Sequence, residues 1–169
     1  MALPFFYIEA TTATDNLVLN EETSKHIVQV LRMQNGEELQ LTDGKGCLIK
    51  AKIIDNNRKR CAVKIIQTVN NHRPTANITI AISLVKNANR FEWFLEKATE
   101  IGITEIIPLI CSRTEKQHFR QDRMQGILIS AMLQSQQTFL PVLHEPTKLN
   151  EVISKAKQEQ KFIAHCEDE

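Results

Sequence analysis

Seven lysines or arginines lie between Lys45 and Lys64 (Lys45, Lys50, Lys52, Arg58, Lys59, Arg60 and Lys64), with one acid, Asp55, among them. Such residues hold a phosphate backbone by charge and carry no sequence information. Lys50 and Lys52 alternate onto one strand face and Arg58-Lys59-Arg60 falls on a turn, so the charges can line one side of a small domain. The competing reading is an ordinary solvated strand face. A second group, Arg113, Lys116, His118, Arg120 and Arg123 against Glu115 and Asp122, follows the expected carboxyl end of a strand. Open α/β sheets build their ligand crevices there. Lys86 and Arg90 flank a strand-to-helix turn, a place for phosphate contacts or for helix capping.

Other chemistries have little support. The five glycines (Gly36, Gly44, Gly46, Gly102, Gly126) never form GxGxxG or GxxxxGK, which removes the usual phosphate loops. His26, His72, His118, His144 and His165 are scattered without HExxH or a CxxC partner, so no metal site is expected. His165 and Cys166 adjoin on an expected strand, where neighbours point to opposite faces and cannot form a dyad.

These residues need elements to hold them. The chain has 169 residues, 42% apolar and 24% charged, with a formal net charge of +1. That is room for one ordinary or two small domains; the composition excludes disorder, collagen and coiled coil, and the charge excludes a histone-like or polybasic binder. No apolar run approaches the roughly 18 residues of a membrane span. MALPFFYIEA lacks a basic lead, so no signal peptide is expected. Cys47, Cys61, Cys111 and Cys166 lie far apart, which fits reduced thiols and a cytoplasmic location.

Residues 1–70 read as short strands and tight turns. Phe5 to Ala10 is a strand candidate, and Asn20-Glu21-Glu22 opens a short helix with Ile27, Val30 and Leu31 on one face. Asn35-Gly36, Asp43-Gly44-Lys45-Gly46 and Asp55-Asn56-Asn57 are turns between strands in which Leu39 and Leu41, then Ile49, Ala51 and Ile53, then Cys61, Val63 and Ile65 alternate. This predicts a barrel-like β domain. Residues 71–74 read as a linker ending at Pro74, and residues 75–169 as an α/β domain. In it, Ile78–Val85 is a strand expected to be covered on both faces. Asn89–Ile101 is an amphipathic helix stopped by Gly102, with Phe91, Phe94, Leu95, Ala98 and Ile101 in one stripe and Trp93 off that line, facing a second surface such as a subunit contact. Glu105–Ile110 is a strand, 121–136 and 149–160 are helices, and Phe162–Cys166 is a third strand. The alternation implies a parallel sheet. A three-stranded sheet with Glu167-Asp168-Glu169 directly after its last strand reads as unfinished.

At these segments the chain resembles the RNA methyltransferases that modify N3 of a uridine in small-subunit (16S) ribosomal RNA, members of the SPOUT superfamily. His26–Arg32 (HIVQVLR) with Gly36 and the Asp43–Gly46 turn resembles the family's PUA-like, barrel-shaped opening domain. Lys86, Arg90-Phe91-Glu92-Trp93 and Lys97-Ala98-Thr99-Glu100-Ile101-Gly102 match its most distinctive helix. Ile107-Pro108-Leu109 with Ser112-Arg113-Thr114, and Ala131–Pro141 with Gln134-Ser135, fit two later segments. Leu133 and Gln137 stand where the family often has a glutamate and an arginine. A Gly-Pro-Glu-Gly type loop and a later Leu-Gly…Arg…Glu-Thr run, which form the family's trefoil knot, do not occur in these 169 residues.

The resemblance implies a PUA-like β-barrel followed by an incomplete SPOUT α/β methyltransferase domain, truncated before the cofactor knot. The implied activity is methyl transfer from S-adenosylmethionine to uridine N3 in 16S ribosomal RNA, by a cytoplasmic homodimer without metal. The 169-residue piece alone is expected to be inactive. Arg32, Lys45, Lys50 and Lys52 on the small domain, with Lys86, Arg90, Arg113 and Arg123 on the second, are the candidate RNA contacts. His165, Cys166 and Glu167 are expected to approach the cofactor pocket. No residue is assigned as the catalytic base. The alternative is a non-catalytic RNA-binding or ribosome-assembly module.

Overall fold

The computed structural model describes residues 3–9, 15–73, 76–114 and 119–164. The first domain is a five-stranded sheet in the order β1-β3-β4-β5-β2, with β1 Phe5–Tyr7, β2 Asn16–Val18, β3 Glu38–Thr42, β4 Cys47–Asp55 and β5 Ala62–Asn70. Strict alternation builds its core. Leu39, Leu41, Ile49, Ala51, Ile53 and Val63 point inward and are buried, while Lys50, Lys52 and Lys64 occupy the other face of β4 and β5. The short strand β2, against β5, carries only one inward residue, Leu17, and leaves no periodic signal in the sequence.

The helix α1 (Glu21–Lys25) begins where Asn20 Oδ1 accepts from the Thr23 amide at 2.8 Å, with two glutamates in its first turn. It then widens into a π-type turn over His26–Val30, closed by the Leu31 amide on the His26 carbonyl at 3.0 Å. That extra residue per turn rotates the following side chains. Ile27 and Met33 are buried, whereas Val30 and Leu31, expected on the buried face, are exposed, Val30 at 68%. Ser24 is buried and bonded twice, donating to the Leu19 carbonyl at 3.3 Å and accepting from the Cys61 amide at 2.9 Å.

The second domain is a parallel sheet, β6 (Thr79–Ser83), β7 (Glu105–Ile110) and β8 (Val142–Leu143), with β9 (Thr147–Lys148) also on β7. The helices α2 (Ala88–Glu100) and α3 (Gln121–Gln134) pack on it, and α4 (Leu149–Lys155) follows β9. Phe91, Leu95 and Ala98 of α2 meet Met124 and Leu128 of α3 over Ile80, Ile82 and Ile106. Those strand residues share one face, and Ala81 on the other is exposed. The expectation that 78–85 is covered on both faces is therefore corrected. Among the described residues β6 is an edge strand, and α2 and α3 pack on one side of it. Two further expectations fail. The last helix ends at Lys155, where Ala156 turns extended, not at Gln160. Residues 162–164 form no strand: among the described residues they pair with no neighbour, and Phe162 and Ile163 stay 91% and 80% exposed. The rest of that expected strand, His165 and Cys166, lies outside the described residues.

Gly102 ends α2 as expected. At φ +83° it donates to the Thr99 carbonyl while the Ile103 amide reaches Ala98, a Schellman closure. The end of α3 uses the same bonds with Gln136 in the left-handed position at φ +57°.

The two domains join through backbone. The Gly46 amide donates to the Thr138 carbonyl at 2.8 Å and the Leu140 amide to the Gly44 carbonyl at 2.8 Å, bracketing an antiparallel bridge between Lys45 and Phe139. The Asn71 amide and side chain add bonds to the Gly46 carbonyl (2.9 Å) and Thr138 Oγ1 (3.1 Å). Gly46 sits at φ +105°, and a methyl group there would lie 2.6 Å from Phe139 Cζ and 2.9 Å from the Asn71 carbonyl. We expect Gly46→Ala to lower stability by about 1–3 kcal/mol, from left-handed strain plus the clash. Urea unfolding checks this, and a midpoint equal to that of the parent would show that the joint absorbs the methyl.

Candidate nucleic-acid interface

The carboxyl ends of β6 and β7 are tied together before their loops leave the sheet. Ser83 Oγ and Thr114 Oγ1 lie 3.1 Å apart, the Cys111 amide donates to Thr114 Oγ1 at 2.9 Å, and the Thr114 amide returns to the Cys111 carbonyl at 3.0 Å. This tight turn presents Arg113, which is exposed. The loop after β6 carries Lys86 and enters α2 through Asn87, whose Oδ1 accepts from the Asn89 amide at 3.0 Å. Arg90 follows in the first turn of α2, which holds no acidic residue. A cation there opposes the helix dipole, and a bound anion would relieve the conflict. Arg120 stands at the start of α3. Lys86, Arg90 and Arg113 are thus gathered at one sheet edge.

Arg123 is placed differently. Its guanidinium makes a two-point pair with Glu92, Nε to Oε1 at 2.7 Å and a terminal nitrogen to Oε2 at 2.8 Å, joining α3 to α2. The hydrogen bond from Arg123 holds the Glu92 carboxyl below its ordinary value of 4.5. Gln137 is also engaged: Nε2 donates to the Thr99 (3.1 Å) and Glu100 (2.7 Å) carbonyls at the end of α2. Where the resembled family often has an arginine, this chain has a helix cap, and glutamine's two amide hydrogens suit two carbonyls. Neither contact is legible in the sequence, since each joins residues more than 30 positions apart.

The small-domain candidates do not form one continuous stripe. Lys50 pairs with Glu38 across β3 and β4 at 2.8 Å. Lys52 stands between Glu38 on one side and Lys64 on the other, so two like charges face each other across β4 and β5. Arg32, at φ +55°, lies near the Arg58–Arg60 turn, because Gln34 two residues on accepts from Asn56 Nδ2 at 3.2 Å. Lys45 is at the far end of β4, about 20 Å from Lys52 at strand rise, in the joint between domains. His165, Cys166, Glu167, Lys116 and His118 lie outside the described residues. Cys47 and Cys61 are buried, and burial pushes both thiols up, which suits packing and not nucleophilic work. Among the described residues no group of three or more His, Cys, Asp and Glu could hold a metal ion, and no helix is long and apolar enough to cross a membrane.

Comparison with known proteins adds identity to this geometry. Residues 71–169 match the family of the RNA methyltransferase domain, and residues 19–66 that of the RNA methyltransferase PUA domain. The ribosomal RNA small subunit methyltransferase E of Synechocystis sp. is 28% identical over 163 residues, which cover 94% of this chain and 51% of that protein. A crystal structure of a probable rRNA-methyltransferase from Porphyromonas gingivalis is similar with a TM-score of 0.84 and 36% identity, over 91% of this chain and 64% of its own. The ribosomal RNA small subunit methyltransferase E of Neisseria gonorrhoeae, bound to S-adenosyl methionine, gives a TM-score of 0.80 at 26% identity, over 94% of this chain and 68% of its own. The chain therefore spans about half the length of the first of these relatives.

The Glu92–Arg123 pair makes a pH prediction. A depressed carboxyl contributes stability that is present above the unfolded value of 4.5 and is lost as pH falls through the lower folded value. Glu92→Gln should lower the melting temperature at pH 7 by at most about 2–4 °C, and the gap to the parent should close as the solution is acidified below pH 4.5. A gap that stays constant with pH would mean that the pair is not its source.

Proposed function

The chain belongs to the RNA methyltransferase domain family, and from that membership we propose that it serves S-adenosylmethionine-dependent methylation of N3 of a uridine in 16S ribosomal RNA. The observation that carries this reading is the ordered pair of family matches, a PUA domain of RNA methyltransferases followed by the methyltransferase domain. Relatives named for small-subunit ribosomal RNA methylation support the substrate. We divide the chain at 1–70, 71–74 and 75–169, a reading supported by the end of β5 at Asn70.

S-adenosylmethionine supplies the methyl group of this reaction when bound. The described residues address the other reactant. Lys86, Arg90 and Arg113 at the sheet edge are suited to phosphates and repel a sulfonium cation, so they fit RNA and do not fit the cofactor. His165, Cys166 and Glu167 remain the proposed cofactor neighbours. The chain's own task is to hold the target nucleotide out of its helix by gripping the flanking backbone, with N3 presented in one orientation. Action as a cytoplasmic homodimer belongs to the same proposal. Trp93, 63% exposed on α2, supports a subunit contact, and sedimentation giving only a monomer would remove it.

Two measurements test the reading. Unmodified small ribosomal subunits incubated with the full-length form of the protein and methyl-labelled S-adenosylmethionine should yield label in N3-methyluridine on digestion. RNA binding without label would favour a non-catalytic assembly role. Second, the affinity of the chain for a 16S ribosomal RNA transcript should fall steeply with salt, and replacing Lys50 and Lys52 together by Gln should make the log–log slope shallower by about 1.4–1.8. An unmoved slope would take those two lysines out of the interface.

A further inference from the structure

We propose that the joint between the two domains is itself a binding site for the RNA sugar-phosphate backbone, built from Arg73 and Lys45 around Phe139. Arg73 reads in the sequence as part of a linker. In the structure its guanidinium carbon lies 5.4 Å from the centre of the Phe139 ring, within cation–π range. Lys45 stands opposite Phe139 across the joint, as its partner in the antiparallel bridge. Two cations distant in sequence, one from a turn and one from the connecting segment, thus belong to residues that adjoin Phe139 of the second domain.

Both cations remain available to a ligand. Lys45 and Arg73 are exposed, and among the described residues neither has a carboxylate partner. The nearest acid in sequence, Asp43, spends Oδ1 on the Lys45 (2.8 Å) and Cys47 (3.2 Å) amides. The ring restrains the guanidinium by a cation–π contact, and a guanidinium carries N–H donors enough to bind a phosphate at two points. Beside Arg73 a hollow of about 60 Å³, lined also by Thr104, Gln137 and Phe139, has room for bridging water. The site exists only when the domains are docked, since one cation and the ring come from opposite sides of the joint.

Its place differs from that of the sheet-edge cations. Arg73 and Ala76 precede β6 and Thr104 precedes β7, so the joint lies at the amino ends of these strands, whereas Lys86, Arg90 and Arg113 lie beyond the carboxyl ends. About 17 Å of strand separates the two groups.

The inference rests on the RNA reading above, and the test separates them. Binding of a 16S ribosomal RNA transcript to the chain is followed over a potassium chloride series for the parent, Arg73→Gln, Lys45→Gln and Arg73→Lys, with urea midpoints for each. Arg73→Gln and Lys45→Gln should each make the log–log slope shallower by about 0.7–0.9. Arg73→Lys should keep the slope and lose about 2–5-fold in affinity as the guanidinium's contact with the ring and its two-point grip on phosphate are weakened. An Arg73→Gln protein that binds with the parent's slope, whether or not its urea midpoint falls, overturns the inference and makes Arg73 a fastener of the joint. A parent chain without salt-dependent RNA binding would instead overturn the RNA reading itself.

Discussion

The arrangement depends on the absence of two Cβ atoms. At Gly44 a methyl group would lie 2.9 Å from Leu140 Cβ, and at Gly46 2.6 Å from the Phe139 ring. Without them, the backbone of the Asp43–Gly46 turn approaches the segment 138–140 closely enough for two direct hydrogen bonds. That segment has further duties. Ser135 Oγ and the amides of Gln136 and Gln137 close the end of α3, and the Gln137 side chain closes the end of α2. Six consecutive residues therefore end one helix, cap another and dock the first domain. The left-handed Gln136, a conformation that costs a non-glycine residue about 1 kcal/mol or more, is the bend that lets one strand of chain do all three.

The charge distribution follows from where the acids are spent. With 21 basic and 20 acidic residues the chain has almost no net field, yet its acids are drawn into internal duties. Glu92 holds Arg123, Glu38 holds Lys50, Glu96 and Glu100 hold Lys97, Glu105 meets His144, and Asp43 serves two amides. Lys52 is left facing Lys64 across β4 and β5, and among the described residues Lys45 and Arg73 at the joint have no carboxylate partner. A near-neutral composition thus hides local basic surfaces, which the clustering of lysines and arginines along the sequence reveals only in part.

Alternation made the first domain legible, because burial on one face of a strand leaves a period-two record: Leu39, Leu41, Ile49, Ala51 and Ile53 stand where that record puts them. The helix α2 was legible through its stripe and Gly102. Three kinds of feature left no such record. A π-type turn changes the period inside a short helix, so Val30 and Leu31 were assigned to the wrong face. Two-residue strands such as β8 and β9 are too short to show any period, whereas the apolar run at Phe162 reads as a strand and is not one over its described residues. Contacts between distant segments, Arg123 with Glu92, Gln137 with α2 and the Gly44–Gly46 turn with 138–140, depend on the fold being complete. The glycines of that turn were read correctly as a hairpin, and their closer reason, room for a neighbouring domain, was invisible.

The joint also sets what the two basic regions can do together. Its contacts are made mainly by backbone, and backbone positions shift less than the ends of long side chains. A flexible linker at 71–74 would let each domain find phosphates independently, and the ordering cost would fall on binding. A docked joint removes that cost in advance and fixes the distance between cations at the amino and carboxyl ends of β6 and β7. RNA engaging both would then run along the sheet, with a defined length of backbone between its anchors. If both groups hold RNA as proposed, a fixed span between anchors would select the nucleotide by its position on the backbone, which non-specific phosphate contacts alone cannot do.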